Sequence, residues 1–475
     1  MVKIAASFVV MAALLGAAAP AREPASEARL KKSFRRPDQN GWIYVRLEGT
    51  PGEIGYQHGY LLASEIQDTF HVISLGLTHD SKKNWPFFRD AAEKVLWPRV
   101  ETQYREELLG IVEGLKAKGV KLDIWDVVAL NAWLELSPYY TTWYDKEHKI
   151  ANAQAKRPTP EHCSAFVATG KYTKDGKVVI AHNNWTEYKE GSRWNIVFDI
   201  APAQGHKIIM DGMPGLIHSG DDFGINDAGI AITETTIGHF TSFDPKGIPE
   251  FARARKAMQY ATSIREFAAI MREGNNGGYA NNWLLADSKN NEVGSLELGL
   301  KNTYLITSTN GYFVGSNFPN NPQLIAEETD FPVKDLAVTA NARHLRWNQL
   351  MEENKGKIDV AMAQGFLADH YDTFTKKTDP NERTLCGHID LSARGSKPWE
   401  PEFGIAGAVQ NKAADAALIA DMSFTAAMGH ACGIDFHASE HLKKHPEFAW
   451  QKEILKDLPS RPWTTFRALH QEPLK

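Results

Sequence analysis

The sequence predicts an α+β fold, with a helical N-terminal third and a strand-rich remainder. Two observations carry that prediction. Between positions 41 and 150 the apolar residues recur at helical spacing after one short strand. From Cys163 onward they fall instead in short runs broken by turn residues. The 475 residues, 43% hydrophobic and 23% charged, suffice for one large or two ordinary domains with a sizeable core.

The elements follow in order. Lys3, the apolar run Ile4 to Ala19 and the exit Ala19-Pro20-Ala21 have the layout of a cleavable signal peptide over residues 1–21. The expectation is therefore an exported protein, periplasmic or secreted. Residues 22–40 are polar and basic and form a leader. Trp42 to Leu47 is a strand. Gly52-Glu53-Ile54-Gly55-Tyr56-Gln57-His58-Gly59 opens a helix running through Leu61, Leu62 and Ile66. A second helix spans Arg99 to Lys118, and Asp123 caps a third from Ile124 to Leu136. Residues 149–162 lack apolar periodicity and make a linker that ends at His162-Cys163.

Strands then take over. Ala165 to Thr169 and Val178 to Ala181 form a hairpin across the Asp175-Gly176 turn. Asn195 to Ile200, Lys207 to Met210, Gly215 to Ser219 and Gly229 to Thr235 extend the sheet. Ala252 to Arg272 returns to helix. Tyr279 to Asp287 pairs with Gly294 to Leu300, Tyr312 to Asn317 adds a strand, and a helix carries Arg343, Leu345, Arg346 and Leu350.

Charge narrows the function classes. A formal net charge of −5, from 53 basic and 58 acidic residues, argues against non-specific nucleic-acid binding. No fixed-period repeat occurs. The 13 Trp and 14 Tyr suit a large core or the grip on an amphipathic ligand. Three cysteines in an exported chain leave at least one unpaired. Cys386 and Cys432 are close enough in sequence to form a disulfide, which leaves Cys163 free.

Cys163 stands where the linker ends and the hairpin begins. Cleavage of the His162–Cys163 bond would put a thiol and a free α-amine on one residue. An α-amine with a pKa of ~7.7–8.0 can act as general base near neutral pH.

Cys163-Ser164-Ala165-Phe166, the hairpin and Ala181-His182-Asn183-Asn184-Trp185-Thr186-Glu187-Tyr188 resemble the phospholipase B-like family. So do Ser219-Gly220-Asp221-Asp222-Phe223-Gly224-Ile225 with Glu234-Thr235-Thr236-Ile237-Gly238, and Asn275-Asn276-Gly277-Gly278-Tyr279-Ala280-Asn281-Asn282-Trp283. The match is good over residues 163–300 and loose elsewhere. The same layout is similar to the penicillin acyltransferase group (peptidase C45), and both are N-terminal nucleophile hydrolases. The resemblance implies a four-layer αββα sandwich and self-cleavage before Cys163. It implies a helical light chain of residues 22–162 that stays docked on a heavy chain of residues 163–475, and hydrolysis of an acyl ester or amide. There are departures. The family's third block reads Asn-Ser-Gly-Thr-Tyr-Asn-Asn-Gln-Trp, so Asn282 replaces the Gln and Ala280 the first Asn of the pair. Acyltransferase relatives carry an Asp where this chain has Thr186.

The resemblance also implies roles for single residues. Cys163 is the nucleophile. Asn282 is the side-chain donor to the oxyanion, with Asn281 as alternate, although an Asn here can also fix a turn. Strand alternation puts His182 and Asn184 on one face and Asn183 on the other. His182 reads equally as a hydrogen-bonded core histidine. Thr186 replaces the Asp that would hold the α-amine. Asp221 and Asp222 either orient the amine or cap a turn. Arg343 falls where acyltransferase relatives carry a site Arg, or lies on a solvated helix face. His437, His441 and His445 recur every four residues but lack a metalloprotease order and read as a surface helix. Asn184-Trp185-Thr186 matches a glycosylation acceptor only formally, because it lies inside the hairpin. No metal or organic cofactor is required. The expected partner is a small acyl substrate, a lipid ester or an amide, with peripheral contact to a lipid surface. The alternatives are an amidase or acyltransferase on N-acyl compounds, and a non-catalytic binder that keeps the fold.

Overall fold

The computed structural model describes residues 25–150, 163–220, 222–395 and 401–469. The expected signal peptide, the linker from 151 to His162, and Asp221 lie outside the described residues.

Two sheets form the centre. In chain order the strands are β1 (Phe34–Arg35), β2 (Ile43–Gly49), β3 (Ser164–Ala168), β4 (Val179–Glu187), β5 (Ile196–Pro202), β6 (Ile208–Gly212), β7 (Phe223–Asn226), β8 (Ile230–Thr236), β9 (Asn281–Asp287), β10 (Glu292–Leu298), β11 (Thr303–Ser308) and β12 (Tyr312–Gly315). A small ribbon, β13 (Tyr371–Asp372) and β14 (Lys377–Thr378), precedes β15 (Ala406–Asp415), β16 (Ser423–Met428) and β17 (Thr464–Arg467). The larger sheet runs β1-β2-β5-β6-β7-β8-β9-β10-β11 and the smaller β12-β3-β4-β15-β16-β17. Only the β2–β5 pair among these is parallel.

Alternation along each strand divides the apolar residues between two faces. Ala165, Val167, Ile180 and Val409 of the smaller sheet meet Val197, Ile209, Ala231, Leu284 and Ala286 of the larger in a core between the sheets. The opposite face of the smaller sheet, with Phe166, Val179 and Ala181, packs on Trp347, Met351 and Phe366 from the helices Thr339–Glu353 and Val360–Leu367. The opposite face of the larger sheet carries the N-terminal helices and the helices Glu250–Tyr260 and Ile264–Arg272. The result is the four-layer αββα sandwich that the resemblance implies.

The N-terminal third is built into this sandwich. β2 enters the larger sheet beside β5. The helices Pro51–Leu61 and Thr102–Ala117 cross in backbone contact, because a Cβ on Gly55 would lie 1.9 Å from the Glu107 carbonyl oxygen. The glycine spacing that opens the first helix thus serves close packing. Thr50 and Glu53 form a capping box at its start.

Several expectations need correction. Residues 215–219 are a turn, not a strand: Gly215 has φ 91°, and Asn131 holds the turn by donating to the Gly215 carbonyl and accepting from Ile217 N–H. The helix expected over Ala252 to Arg272 breaks into two, because Ser263 caps the second by accepting from Glu266 N–H. The helix expected from Ile124 to Leu136 stops first at Asn131. Helices Trp85–Ala91 and Thr141–Glu147 complete the helical third. β4 extends six residues past Ala181 to Glu187, since His182, Asn183 and Asn184 are polar yet buried.

Candidate active site

Cys163 stands at the head of β3, 2% exposed, with backbone φ 81°. That is left-handed space that side-chain-bearing residues rarely occupy, at a cost of roughly 1–3 kcal/mol. Its carbonyl oxygen accepts from Arg343 Nη1, which also donates to Ser164 Oγ at 3.0 Å. Arg343 Nη2 donates to Asn317 Oδ1 at 2.8 Å and Nε to Thr339 Oγ1 at 3.0 Å. The guanidinium lies 4.4 Å from the centre of the Trp185 ring. Arg343 is fully buried, so the solvated-face expectation for it is corrected: its helix points it inward at the strand carrying Cys163.

His182, Asp222 and Cys163 bring one side-chain atom each into a cluster within 4.8 Å of one another. β4 delivers His182 and Asn184 to this inner face, as alternation predicts. Asn184 Nδ2 donates to Asp222 Oδ2. Asn183 points the other way and donates to the carbonyls of Leu367 and Leu385. The buried Asn184 is no glycan acceptor. Thr186 follows on the inner face, opposite Gly407 of β15.

Sequence reasoning missed the charged residues around this cluster. Lys412 Nζ on β15 donates to Asp211 Oδ2 at 3.0 Å and Asp222 Oδ2 at 3.5 Å, and Gln410 Nε2 donates to the same two carboxylates at 2.9 and 3.3 Å. Lys412 pairs with His182 across the strands and Gln410 with Asn184. The available signal was the polar run Gln410-Asn411-Lys412 inside an otherwise apolar stretch, residues 405–414. Glu234 of β8 accepts from the Tyr279 hydroxyl at 3.0 Å.

These neighbours set the protonation states. Burial, then the Glu234 and Asp222 carboxylates, push the Cys163 thiol well above its ordinary range. Burial and the nearby Asp211 charge raise Asp222 against the pull of Lys412. Burial and Lys412 push His182 well down, so its imidazole is neutral.

Asn282 faces the inter-sheet side with Leu284 and Ala286, and Asn281 the helix side with Trp283 and Leu285. Asn282 Oδ1 accepts from Ser295 Oγ at 2.7 Å. Its Nδ2, and both polar side-chain atoms of Asn281, are buried without a hydrogen-bond partner among the described residues. A buried amide N–H with no acceptor is costly unless something binds there.

Elsewhere, Cys386 and Cys432 are free thiols, so the expected disulfide is not formed. His437, His441 and His445 turn to separate partners: Asp457, the Phe403 carbonyl and Glu447.

A cysteine at the head of an inner strand, between two sheets flanked by helices, defines an N-terminal nucleophile hydrolase type of fold. Residues 84–299 match the Phospholipase B family model, and the resemblance to phospholipase B-like proteins holds. The chain is 24% identical over 485 residues to putative phospholipase B-like 1 of Caenorhabditis elegans, covering 88% of this chain and 82% of that protein. It is 24% identical over 283 residues to the 40 kDa form of acyl-coenzyme A:6-aminopenicillanic-acid-acyltransferase of Emericella nidulans, covering 58% of this chain and 69% of that one. An uncharacterized protein of Archaeoglobus fulgidus is 27% identical over 317 residues, 64% of this chain, and the chain spans only 50% of that relative's length. A solved mutant of conjugated bile acid hydrolase from Clostridium perfringens aligns with a TM-score of 0.32 and 9% identity, over 56% of this chain and 88% of that one. The sequence matches support a hydrolase or acyltransferase.

Proposed function

We propose that this chain is an exported, self-processing acyl hydrolase of phospholipase B-like type, with Cys163 as its N-terminal nucleophile. The observation that carries the reading is Cys163 itself: a strained residue at the head of β3, against His182 and Asp222, with its carbonyl held by Arg343. Hydrolysis of the His162–Cys163 amide would free the α-amine. That amine takes the thiol proton, and the thiolate attacks the carbonyl carbon of a lipid ester or amide. Asn282 Nδ2 donates to the developing oxyanion; the alternate, Asn281, faces the opposite side of β9 and is set aside. The ammonium returns its proton to the leaving alcohol or amine, and water hydrolyses the Cys163 thioester. Asn184 orients Asp222, and His182 and Thr186 line the same face of β4.

Lys412 lies between Asp211 and Asp222, and the Glu234 and Asp222 carboxyl groups act on the Cys163 thiol; these carboxyl groups would support the α-ammonium that forms when the amine takes the thiol proton. The light chain would stay docked, because β2 pairs with β5 and the N-terminal helices cover the larger sheet.

The acyltransferase match favours a second reading, an amidase or acyltransferase in which an amine or N-acyl compound replaces the lipid ester.

Intact-mass measurement and N-terminal sequencing of wild type beside Cys163→Ala test the mechanism. Two fragments with Cys163 as the new N-terminus, absent from the variant, are expected. A single unprocessed chain in both would overturn the reading.

A further inference from the structure

Cys386 and Cys432 lie on the other side of β4 from Cys163, and the proposed chemistry does not use them. They meet two histidines. One atom each of His370, Cys386, His388 and Cys432 falls in a group whose members all lie within 4.8 Å of one another. His388 Nε2 is 3.7 Å from Cys386 Sγ and 3.5 Å from Cys432 Sγ.

Those separations can be compared with coordination geometry. A tetrahedral zinc ion bound at ~2.3 Å by sulfur and ~2.0–2.1 Å by nitrogen places such ligand atoms about 3.6 Å apart. The two nitrogen–sulfur distances bracket that edge. They are within reach of an imidazole–thiol hydrogen bond, and they also fit a shared ion between the groups.

The surroundings hold the ligands in place. Cys386 N–H donates to the Asp369 carbonyl at 3.1 Å, which brings Cys386 beside His370. His388 N–H donates to the Asn381 carbonyl, and Gly429 N–H ties the Cys432 loop to Val409 of β15. Gly387, between two of the ligands, lies against Trp185 so closely that a Cβ there would sit 2.0 Å from the indole. The His388 ring stacks on His430 at 4.0 Å between centroids, and its Nδ1 faces Asp390 at 3.8 Å. A carboxylate behind a ligating imidazole is the usual support for a metal-bound histidine. His430 is engaged elsewhere, with Nδ1 donating to the Ile434 carbonyl and Nε2 lying 3.0 Å from the Tyr188 hydroxyl. His370 Nε2 and His388 Nδ1 are buried without a hydrogen-bond partner among the described residues.

We propose that His370, Cys386, His388 and Cys432 form a four-coordinate site for a zinc-type divalent ion. Two thiolates and two imidazoles select a borderline-soft ion over calcium or magnesium. With four protein ligands no position is left for substrate, so the ion is structural. It joins the 370–388 segment to the loop after β16 and fixes both against Trp185, whose ring also supports Arg343.

The full chain, purified without chelator after growth with added zinc, tests this. One zinc per chain is expected by elemental mass spectrometry. Replacement by cobalt(II) is expected to give thiolate-to-cobalt charge-transfer bands and tetrahedral ligand-field bands. Cys432→Ser and His370→Ala should lose the ion, and Cys163→Ser should keep it. The last variant separates this proposal from the catalytic one. Stripping the ion should lower Tm by roughly 5 °C or more. A metal-free wild type overturns the proposal, whether its thiols are reduced and give no cobalt bands or a Cys386–Cys432 disulfide peptide appears in a non-reducing digest. Equal metal in wild type and both ligand variants, an adventitious ion only, also overturns it. The cobalt spectrum and the peptide map are read on wild type, so they decide the matter even where a variant does not fold.

Discussion

The two faces of β4 carry two cysteine clusters with opposite surroundings. On the inner face, His182 and Asn184 approach a Cys163 surrounded by carboxylates, and the thiol is pushed up. On the outer face, Asn183 and Trp185 hold the Leu385 carbonyl beside Cys386. There the neighbours of the thiols are imidazoles. The contrast teaches that burial alone does not define a cysteine's use. Carboxylates disfavour a resident thiolate and leave the proton to be removed at the moment of reaction. Imidazoles around two thiols instead suit a thiolate that is permanently bound. One strand, alternating every residue, serves both.

The largest effect expected is at Cys163. Cys163→Ala should abolish self-processing and lower acyl hydrolysis by at least ~10³-fold, while zinc content stays at the wild-type level. Chromogenic ester turnover and elemental analysis on the same sample check this. If the variant lost its zinc, the two clusters would not be independent.

Arg343 comes next. Its guanidinium donates to the Cys163 carbonyl, Ser164 Oγ, Asn317 and Thr339, all buried. Arg343→Ala removes the shared donor to these four groups and should cost about 2–4 kcal/mol in denaturant unfolding. It should also slow processing in a time course followed by gel. Arg343→Lys should recover part of the rate, because an ammonium supplies charge but not the planar fork. An unchanged time course in Arg343→Ala would mean that the carbonyl contact has no part in cleavage.

On the outer face, Gly387→Ala drives a methyl into the Trp185 indole. Overpacking of this kind costs about 1–3 kcal/mol. Cobalt binding should weaken along with stability, because the residue lies between two ligands. Weakened stability with undiminished cobalt binding would place the ion elsewhere.

The fold and the inner cluster were legible to different depths. The change of periodicity at Cys163, the hairpin turn and the glycine-spaced helix were local signals, and the structure carries each. His182, Asn184 and Asn282 were legible because strand alternation assigns a face once the strand is known. Lys412, Asp211 and Glu234 were not: their partners come from strands far apart in sequence, and charged residues in a strand read first as solvent-facing. Arg343 shows the same limit, since its helix pattern alone fits either direction. The outer cluster was half visible. Cys386 and Cys432 were paired by count, but His370 and His388 join them only through the fold.

An effect that appears only in acid provides a control distant from both thiols. His58 is buried in the N-terminal layer, and its Nε2 accepts from Gly215 N–H at 3.0 Å. Burial lowers its pKa to about 3. The folded imidazole stays neutral, whereas the unfolded one takes a proton below its ordinary value of ~6.5. The unfolded state therefore binds more protons between those two values, and stability falls as pH drops through that window. His58→Gln keeps an acceptor for Gly215 and removes the titration. Denaturant midpoints measured from pH 7 to pH 4 should fall less steeply in the variant, with zinc content and self-processing at pH 7 unchanged. Equal slopes would instead assign the acid loss to the clusters on β4, where His182, pushed down by burial and Lys412, is the next group that must charge.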